Sequence, residues 1–204
     1  MQGLYAITDS NLISDSILIQ SVKQAIIGGA KIIQYRNKKQ IQYIEQAVIL
    51  NKLCQQYQIP LIINDDIQLA KQIKADGVHL GKNDLKLSKA RNILGNKAII
   101  GISCYNQIFL AEQAIADGAT YIAFGSFFNS STKPQATPCE IDILRQARKT
   151  FNCPIVAIGG ITPTNGSSLI NAGADCLAVI NGIFGQENIT TATQKYAQLF
   201  KGNS

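Results

Sequence analysis

Short apolar runs rich in isoleucine and valine recur along this chain, and a stretch with helical periodicity follows each of them. The runs lie at 4–8, 32–35, 61–64, 78–80, 99–103, 121–124, 155–158 and 176–180. In the first helical stretch, Leu18, Val22 and Ala25 share one face. Strands that alternate with helices form a parallel sheet, because each helix returns the chain to the same end of the sheet. Eight such units predict an α/β fold, a compact (β/α)8 TIM barrel.

The length of the chain also fits this fold. Its 204 residues suit one domain with few insertions, so we expect a single barrel domain over 1–204. Glycine-containing junctions precede every second run, at 28–32, 75–78, 117–121 and 172–175, and predict left-handed glycine turns at the helix ends. A doubly wound open sheet is the alternative fold. Eight runs, and no G-x-G-x-x-G motif after the first, argue against it.

Composition excludes several classes of protein. With 46% hydrophobic and 16% charged residues, the chain is neither disordered nor fibrous, and no apolar stretch is long enough to span a bilayer. We therefore expect no membrane partner. The five cysteines are odd in number, scattered and without a C-x-x-C pair. This pattern indicates reduced thiols and a cytoplasmic location, and argues against disulfides or a zinc site.

A net charge of +6 makes nucleic-acid binding worth considering. The basic residues are dispersed, tryptophan is absent, and no nucleic-acid recognition motif occurs. Excess positive charge equally suits a protein that attracts small anionic substrates. We therefore expect small-molecule phosphorylated substrates and no nucleic acid, while the sequence leaves open whether the protein is a monomer or a homodimer.

Carboxylates follow two neighbouring runs. Asp65 and Asp66 come directly after 61–64, and Asp84 lies shortly after 78–80, with one helical stretch at 67–74 between the runs. A right-handed crossover lays the two strands parallel, so their carboxyl ends share one rim. Asp65 and Asp84 there would suit Mg²⁺ holding a phosphate or diphosphate. The alternative is that Asp65 or Asp66 merely caps the next helix.

Polar and basic side chains follow other runs. Gln34, Arg36 and Lys38 alternate by two, so on an extended strand end they face the same way. The longest connection without periodicity, 125–138, follows the sixth run and carries hydroxyls and Lys133, which indicates a functional loop.

Glycine-containing segments follow the last two predicted strands. Gly159-Gly160 follows the seventh run and Asn181-Gly182 follows the eighth. These positions match the usual phosphate site of a barrel, where bare backbone amides approach the anion. The simpler alternative for Gly159-Gly160 is a tight turn.

Two residues suggest acid–base or nucleophilic chemistry without supporting it. His79, the sole histidine, lies inside a strand run and is predicted to have a structural, hydrogen-bonded role. Cys104 follows Ser103 on the predicted rim, has no activating neighbour, and is predicted to line the site without reacting.

Short segments along the whole chain, taken in order, resemble the thiamine phosphate synthases. They are LYAITD at 4–9, QYRNK at 34–38, IIND at 62–65, GVHLG at 77–81, Asp84, GIS at 101–103, GSFF at 125–128, SSTK at 130–133, AIGGI at 157–161, and GAD at 173–175 with Asn181 beyond it. Each segment alone is weak evidence. The ordered set identifies the chain as similar to this family.

The resemblance implies a (β/α)8 transferase with Mg²⁺ as cofactor. Hydroxymethylpyrimidine diphosphate would lose diphosphate, and the ring nitrogen of hydroxyethylthiazole phosphate would take its place, giving thiamine phosphate. By position, the pyrimidine diphosphate would be held by Gln34, Arg36, Lys38, Asn64, Ser103 and Lys133; Mg²⁺ by Asp65 and Asp84; and the thiazole phosphate by Ser130, Ser131, Thr132, Gly160, Ile180 and Asn181.

Two alternatives share the fold. Thiazole tautomerase-like isomerases typically carry a histidine soon after the strand-five serine, whereas Cys104 and Tyr105 follow Ser103 here. A noncatalytic phosphate-binding regulatory barrel has no need of groups that stabilise a leaving diphosphate. Asn181 stands where the family often has serine, which leaves that thiazole-phosphate contact open.

Overall fold

A computed structural model gives the structure of the protein and describes residues 1–37, 43–81, 85–129 and 137–201. Eight parallel strands close into a barrel in chain order. They are β1 (Gly3–Ile7), β2 (Ile32–Tyr35), β3 (Leu61–Asn64), β4 (Gly77–Leu80), β5 (Ile99–Tyr105), β6 (Tyr121–Phe124), β7 (Ile155–Ile158) and β8 (Cys176–Val179). Because β1 pairs with both β2 and β8, the barrel prediction is confirmed and the open sheet is wrong.

Helices connect the strands on the outside of the barrel. They are α1 (Leu18–Ile27), α2 (Tyr43–Gln56), α3 (Ile67–Ile73), α4 (Leu85–Leu94), α5 (Ile108–Ala116), α6 (Asp142–Thr150), α7 (Gly166–Asn171), α8 (Asn181–Phe184) and α9 (Ile189–Ala197). Of the helices in the described ranges, none has the length and apolar character that crossing a membrane requires.

Side chains alternate between two buried layers along each strand, as the pleat of a strand requires. On β1, Leu4 and Ala6 pack outward against the helices, whereas Tyr5 and Ile7 face the barrel interior. Interior side chains of the other strands fill the barrel with Tyr5 and Ile7; they include Ile32, Ile62, Tyr121, Ala123, Val156, Cys176 and Ala178. The filled interior leaves the carboxyl rim as the place for a site.

The predicted left-handed glycine turns are confirmed at three of the four junctions. Gly29, Gly118 and Gly173 have φ values of +106°, +92° and +114°. At the end of α3, Lys74 takes the left-handed conformation instead, with φ +54°. Gly77 lies inside β4, where a Cβ would come 1.8 Å from the carbonyl oxygen of Ile99. The glycine at that junction therefore permits close strand packing rather than a turn.

Gly101 makes room inside the barrel for an aromatic ring. A Cβ at this position of β5 would lie 1.9 Å from the ring of Tyr121, which pairs with Gly101 in the strand register. Tyr121 is fully buried and stacks on His79, with ring centroids 5.6 Å apart. The missing side chain at 101 thus allows two polar aromatic groups to meet in the barrel interior.

Candidate active site

A cavity of about 730 Å³ opens at the carboxyl ends of the strands. Seven of the residues predicted from the sequence line it: Gln34, Arg36, Asn64, Ser103, Gly160, Ile180 and Asn181. Asp65 is not among the lining residues, although it adjoins Asn64. Six other predicted residues lie outside the described residues: Lys38, Asp84, Ser130, Ser131, Thr132 and Lys133. Described residues from both predicted halves of the site therefore line one cavity.

Arg36 is held at the rim by the residues that follow β1. The Thr8 hydroxyl accepts a hydrogen bond from the Arg36 backbone N–H at 2.9 Å and donates one to the Arg36 carbonyl at 3.2 Å. The guanidinium donates to the Asp9 carboxylate at 2.7 Å. Asp9 is only 3% exposed, so this ion pair fixes the direction of the arginine. A guanidinium has five N–H donors, so Arg36 keeps donors for an anion in the cavity.

The structure separates the roles of the two adjacent aspartates. Asp66 is the N-cap of α3, and its carboxylate accepts the backbone N–H of Leu69 at 2.8 Å. Asp65 has a left-handed backbone with φ +61°, is exposed, and accepts a hydrogen bond from the Asn64 amide at 2.8 Å. Capping therefore explains Asp66 but not Asp65, whose carboxylate stays at the rim beside the cavity.

Five side chains from five strands form a hydrogen-bonded line across the barrel, here termed the polar chain: Gln34, Tyr5, Tyr121, His79 and Ser103. The Gln34 amide donates to the Tyr5 hydroxyl at 2.9 Å, and the Tyr5 and Tyr121 hydroxyls are 2.8 Å apart. His79 Nδ1 lies 2.8 Å from the Tyr121 hydroxyl, and Nε2 lies 2.9 Å from Ser103 Oγ. The predicted hydrogen-bonded role of His79 is confirmed.

Sequence reasoning missed Tyr5 and Tyr121. Burial raises the pKa of both phenols far above the usual range, so each keeps its proton at neutral pH. Tyr5 lines the cavity, and Tyr121 lies beneath it. The available signal was tyrosine at inward-facing positions of otherwise apolar strands, since a buried tyrosine hydroxyl needs a partner.

The opposite wall is built from the ends of β7 and β8. The backbone N–H groups of Phe127 and Phe128 donate to the carbonyls of Ile158 and Gly159, at 3.2 and 3.1 Å. This pairing brings the segment after β6 so close that a Cβ on Gly160 would lie 2.3 Å from the carbonyl oxygen of Asn129. Glycine at 160, with φ +59°, is therefore required for packing as well as for open backbone at the cavity.

Helix α9 adds a positive charge that the sequence analysis missed. Ala192, Lys195 and Tyr196 share one face of α9 and line the cavity. The Tyr196 hydroxyl donates to the Ile161 carbonyl at 3.0 Å, which ties α9 to the segment after β7. Helical spacing alone does not distinguish Lys195 from a solvated surface lysine, so no sequence signal identified it.

The prediction that Cys104 lines the site is wrong. Its thiol is fully buried in the layer between strands and helices and contacts the Ile102 carbonyl at 3.7 Å. The physical reason is strand alternation: Ser103 takes the inward position, so its neighbour points outward. Burial raises the pKa of the Cys104 thiol to about 12.

This burial predicts slow thiol chemistry. Burial likewise raises the thiol pKa values of Cys54, Cys139 and Cys176 to about 12, and it also raises the pKa of Cys153, whose side chain is partly exposed. Because the thiolate is the reactive form, we expect a thiol reagent at pH 7.5 to label about one cysteine rapidly, and labelling to accelerate as the pH approaches 12. All five should react after unfolding. Rapid labelling of Cys104 in the folded protein, located by peptide mass mapping, would contradict this.

A parallel eight-stranded barrel with a polar cavity at the carboxyl ends of its strands has the architecture of the (β/α)8 enzymes. A family model described as thiamine monophosphate synthase matches residues 4–183. The chain belongs to this family.

Relatives of known name agree with the assignment. The thiamine-phosphate synthase of Nitrosococcus oceani is 50% identical over 202 residues, covering 98% of this chain and 93% of its own. That of Nitrosospira multiformis is 48% identical, covering 99% and 87%. The solved thiamine phosphate pyrophosphorylase from Pyrococcus furiosus superposes with a TM-score of 0.87 at 32% identity, covering 97% of this chain and 95% of its own.

Proposed function

We propose that this chain is a transferase that makes thiamine phosphate from hydroxymethylpyrimidine diphosphate and hydroxyethylthiazole phosphate, releasing diphosphate. The observation that supports the proposal is that described residues from both predicted half-sites line one cavity. Arg36, Asn64 and Ser103 line one side, and Gly160 and Asn181 line the other. Its volume of about 730 Å³ is within the range of cavities that enclose small ligands.

The first half-site would hold the pyrimidine diphosphate. Arg36, fixed by Asp9, is positioned to contact phosphate oxygens through its planar fork. The Asn64 amide both donates and accepts, as the edge of an aminopyrimidine requires. Lys38 and Lys133 are proposed from the sequence to supply further positive charge. Together these groups would stabilise the charge that accumulates on the diphosphate as it leaves.

Mg²⁺ is the proposed cofactor, held by Asp65 together with Asp84. Asp65 fits this role because its carboxylate is exposed at the rim and is not used in capping α3. Mg²⁺ is commonly bound by one or two carboxylates plus substrate phosphates, so a single described carboxylate beside the cavity is compatible with it. Bound there, the ion would supply Lewis-acid stabilisation of diphosphate oxygens.

The second half-site would hold the thiazole phosphate against open backbone. Gly160, Ile180, Asn181 and Gly182 line that wall. Ser130, Ser131 and Thr132 are proposed from the sequence to add hydroxyl groups. Lys195 lines the same cavity from α9, and we include it in this half-site as a counter-charge for the phosphate.

The chemistry needs no general base, because the attacking thiazole nitrogen carries no proton. The arrangement agrees with this: His79 is engaged by Tyr121 and Ser103, and Cys104 faces away from the cavity. The chain's own residues would therefore bind, orient and stabilise charge rather than move a proton. Departure of diphosphate ahead of thiazole attack would suit a site of this kind.

The proposal is tested by mixing the purified chain with both substrates and Mg²⁺ and following thiamine phosphate and diphosphate together. We expect the two products in equal amounts. Isomerisation of a thiazole without condensation would support the tautomerase-like alternative. Tight binding of both substrates with no product would support the regulatory barrel. Either result would overturn the proposed function.

Lys195 gives a prediction specific to the second half-site. Lys195→Met keeps the apolar stem but removes the charge, so we expect KM for the thiazole phosphate to rise about tenfold, with kcat nearly unchanged. The reason is that this phosphate does not change during the reaction. Lys52→Met, on an exposed position of α2 outside the cavity, is the control and should leave both constants unchanged. A selective fall in kcat with an unaltered KM would show that Lys195 does not act as a counter-charge for the thiazole phosphate.

A further inference from the structure

The polar chain contains a fixed number of hydroxyl and imidazole protons. Counting them shows which atom donates in each hydrogen bond of the chain. Gln34 Nε2 donates to the Tyr5 hydroxyl at 2.9 Å, so Tyr5 already accepts one hydrogen bond. Tyr5 is 1% exposed, and within the described ranges its hydroxyl has two hydrogen-bond partners, Gln34 and Tyr121. If Tyr121 also donated to Tyr5, the Tyr5 proton would have no described acceptor. The satisfied arrangement has Tyr5 donating to Tyr121.

The same count of protons sets the donor and the acceptor in the remaining two hydrogen bonds. Tyr121 has one proton and accepts from Tyr5, so it donates to Nδ1 of His79 at 2.8 Å. A neutral imidazole that accepts at Nδ1 carries its proton on Nε2. That proton then points to Ser103 Oγ, 2.9 Å away. Ser103 accepts from His79, and within the described ranges no other side-chain partner takes its hydroxyl proton, so that proton can be donated to a ligand in the cavity that Ser103 lines.

We infer that the polar chain makes Ser103 a hydrogen-bond donor to an anionic oxygen of the ligand, with Tyr121 and His79 as positioning residues that set this direction. Gln34 starts the chain at one side of the cavity, and Ser103 ends it at another. A reversed chain would present a lone pair at Ser103 and repel a phosphate oxygen. The direction of the chain therefore bears on which ligands the cavity accepts.

Burial makes the direction persistent. Tyr5 and Tyr121 lie in the barrel interior among apolar side chains such as Ile7, Ile62 and Val156. An unsatisfied hydroxyl there costs more than one at the surface, because water does not replace the missing partner. Packing also holds the rings: Tyr5 and Tyr121 contact edge to face at 6.0 Å. The Ser103 hydroxyl is therefore already oriented before a ligand binds.

The sole histidine makes the inference directly measurable. Long-range ¹H–¹⁵N correlation spectra of the labelled full chain contain one imidazole spin system, that of His79. We expect the proton on Nε2 and a pyridine-type Nδ1 in the free protein. A proton on Nδ1 with a pyridine-type Nε2, or protons on both nitrogens, would overturn the inference without bearing on the proposed function.

Two matched variants test the direction against a merely structural role. Tyr121→Phe removes the donor to Nδ1, so the tautomer ratio should shift about fivefold to tenfold toward the Nδ1–H form. Tyr5→Phe removes a buried hydroxyl from the same interior but leaves Tyr121 donating to Nδ1, so the Nε2–H form should persist. If Tyr121→Phe left the Nε2–H form unchanged, the Tyr121 hydroxyl would not be the donor that sets the tautomer, and the inference would fail.

The identity of the ligand oxygen rests on the proposed function and is tested separately with inorganic diphosphate and Mg²⁺. The affinity for diphosphate should fall about tenfold in Ser103→Ala and several-fold in Tyr121→Phe. Tyr35→Phe, a buried tyrosine whose hydroxyl donates to Gln46 outside the barrel interior, should bind normally. Unchanged affinity in Ser103→Ala would overturn the assignment of diphosphate to Ser103, whereas the tautomer result would stand.

Discussion

Asp65→Asn is expected to lower turnover by roughly 10²- to 10³-fold, and to raise the Mg²⁺ concentration needed for half-maximal rate. The substitution removes the charge of a proposed metal ligand but little else. Asparagine is well tolerated in the left-handed conformation that Asp65 adopts at φ +61°. The fold should therefore survive, and thermal unfolding should change little. The measurement is the steady-state rate as a function of Mg²⁺ concentration.

The adjacent residue supplies a matched control. Asp66→Asn makes the same chemical change one position further on, at the N-cap of α3. Asparagine caps helices about as well as aspartate, so this variant should retain both activity and Mg²⁺ dependence. An Asp65→Asn enzyme with unaltered Mg²⁺ dependence would exclude Asp65 as a metal ligand. Equal losses in both variants would indicate a general effect of negative charge at the rim.

Much of the barrel could be predicted because strand alternation with helices is a local property of the sequence. The predicted runs at 32–35, 61–64, 121–124 and 155–158 have the same bounds as β2, β3, β6 and β7. The largest difference is β5, which continues to Tyr105. There the register with β6 shifts between Ser103 and Tyr105, and such an irregularity depends on strand pairing rather than on local apolar pattern.

Candidate site residues could be predicted where they lie at the carboxyl end of a strand. Gln34, Arg36, Asn64 and Ser103 were identified by resemblance at the ends of strands, and the closed barrel then places them around one cavity. Gln34 and Arg36, two positions apart, were predicted to face the same way, and this is confirmed because both line the cavity. The roles of these residues stay predictions, because lining a cavity does not establish what a side chain binds.

Contacts between distant parts of the chain were beyond sequence reasoning. The hydroxyls of Tyr5 and Tyr121 meet although 116 positions separate them in the chain. Their meeting depends on the strand register and on the space left by Gly101, neither of which is a local pattern. The ion pair of Asp9 with Arg36 is of the same kind. Asp9 was part of the resemblance, but only the structure shows that its carboxylate pairs with the Arg36 guanidinium.

That ion pair supports the second large prediction. Arg36→Ala should lower kcat/KM by about 10³-fold, because the proposed binding and charge stabilisation of the leaving diphosphate are lost together. It should also lower the free energy of unfolding by about 3 kcal/mol, since the Asp9 carboxylate, 3% exposed, would be left without its partner. Steady-state kinetics and denaturant unfolding measure the two effects independently.

The double variant Asp9→Asn with Arg36→Gln separates these effects. It replaces the ion pair with neutral amides that are able to hydrogen-bond to each other, so most of the lost stability should return. Activity should not return, because no guanidinium faces the cavity. Asp9→Asn alone keeps the charge of Arg36 but loosens its direction, and we expect an intermediate loss of about tenfold in kcat/KM. If the double variant recovered activity along with stability, Arg36 would be a structural residue and the proposed diphosphate contact would be wrong.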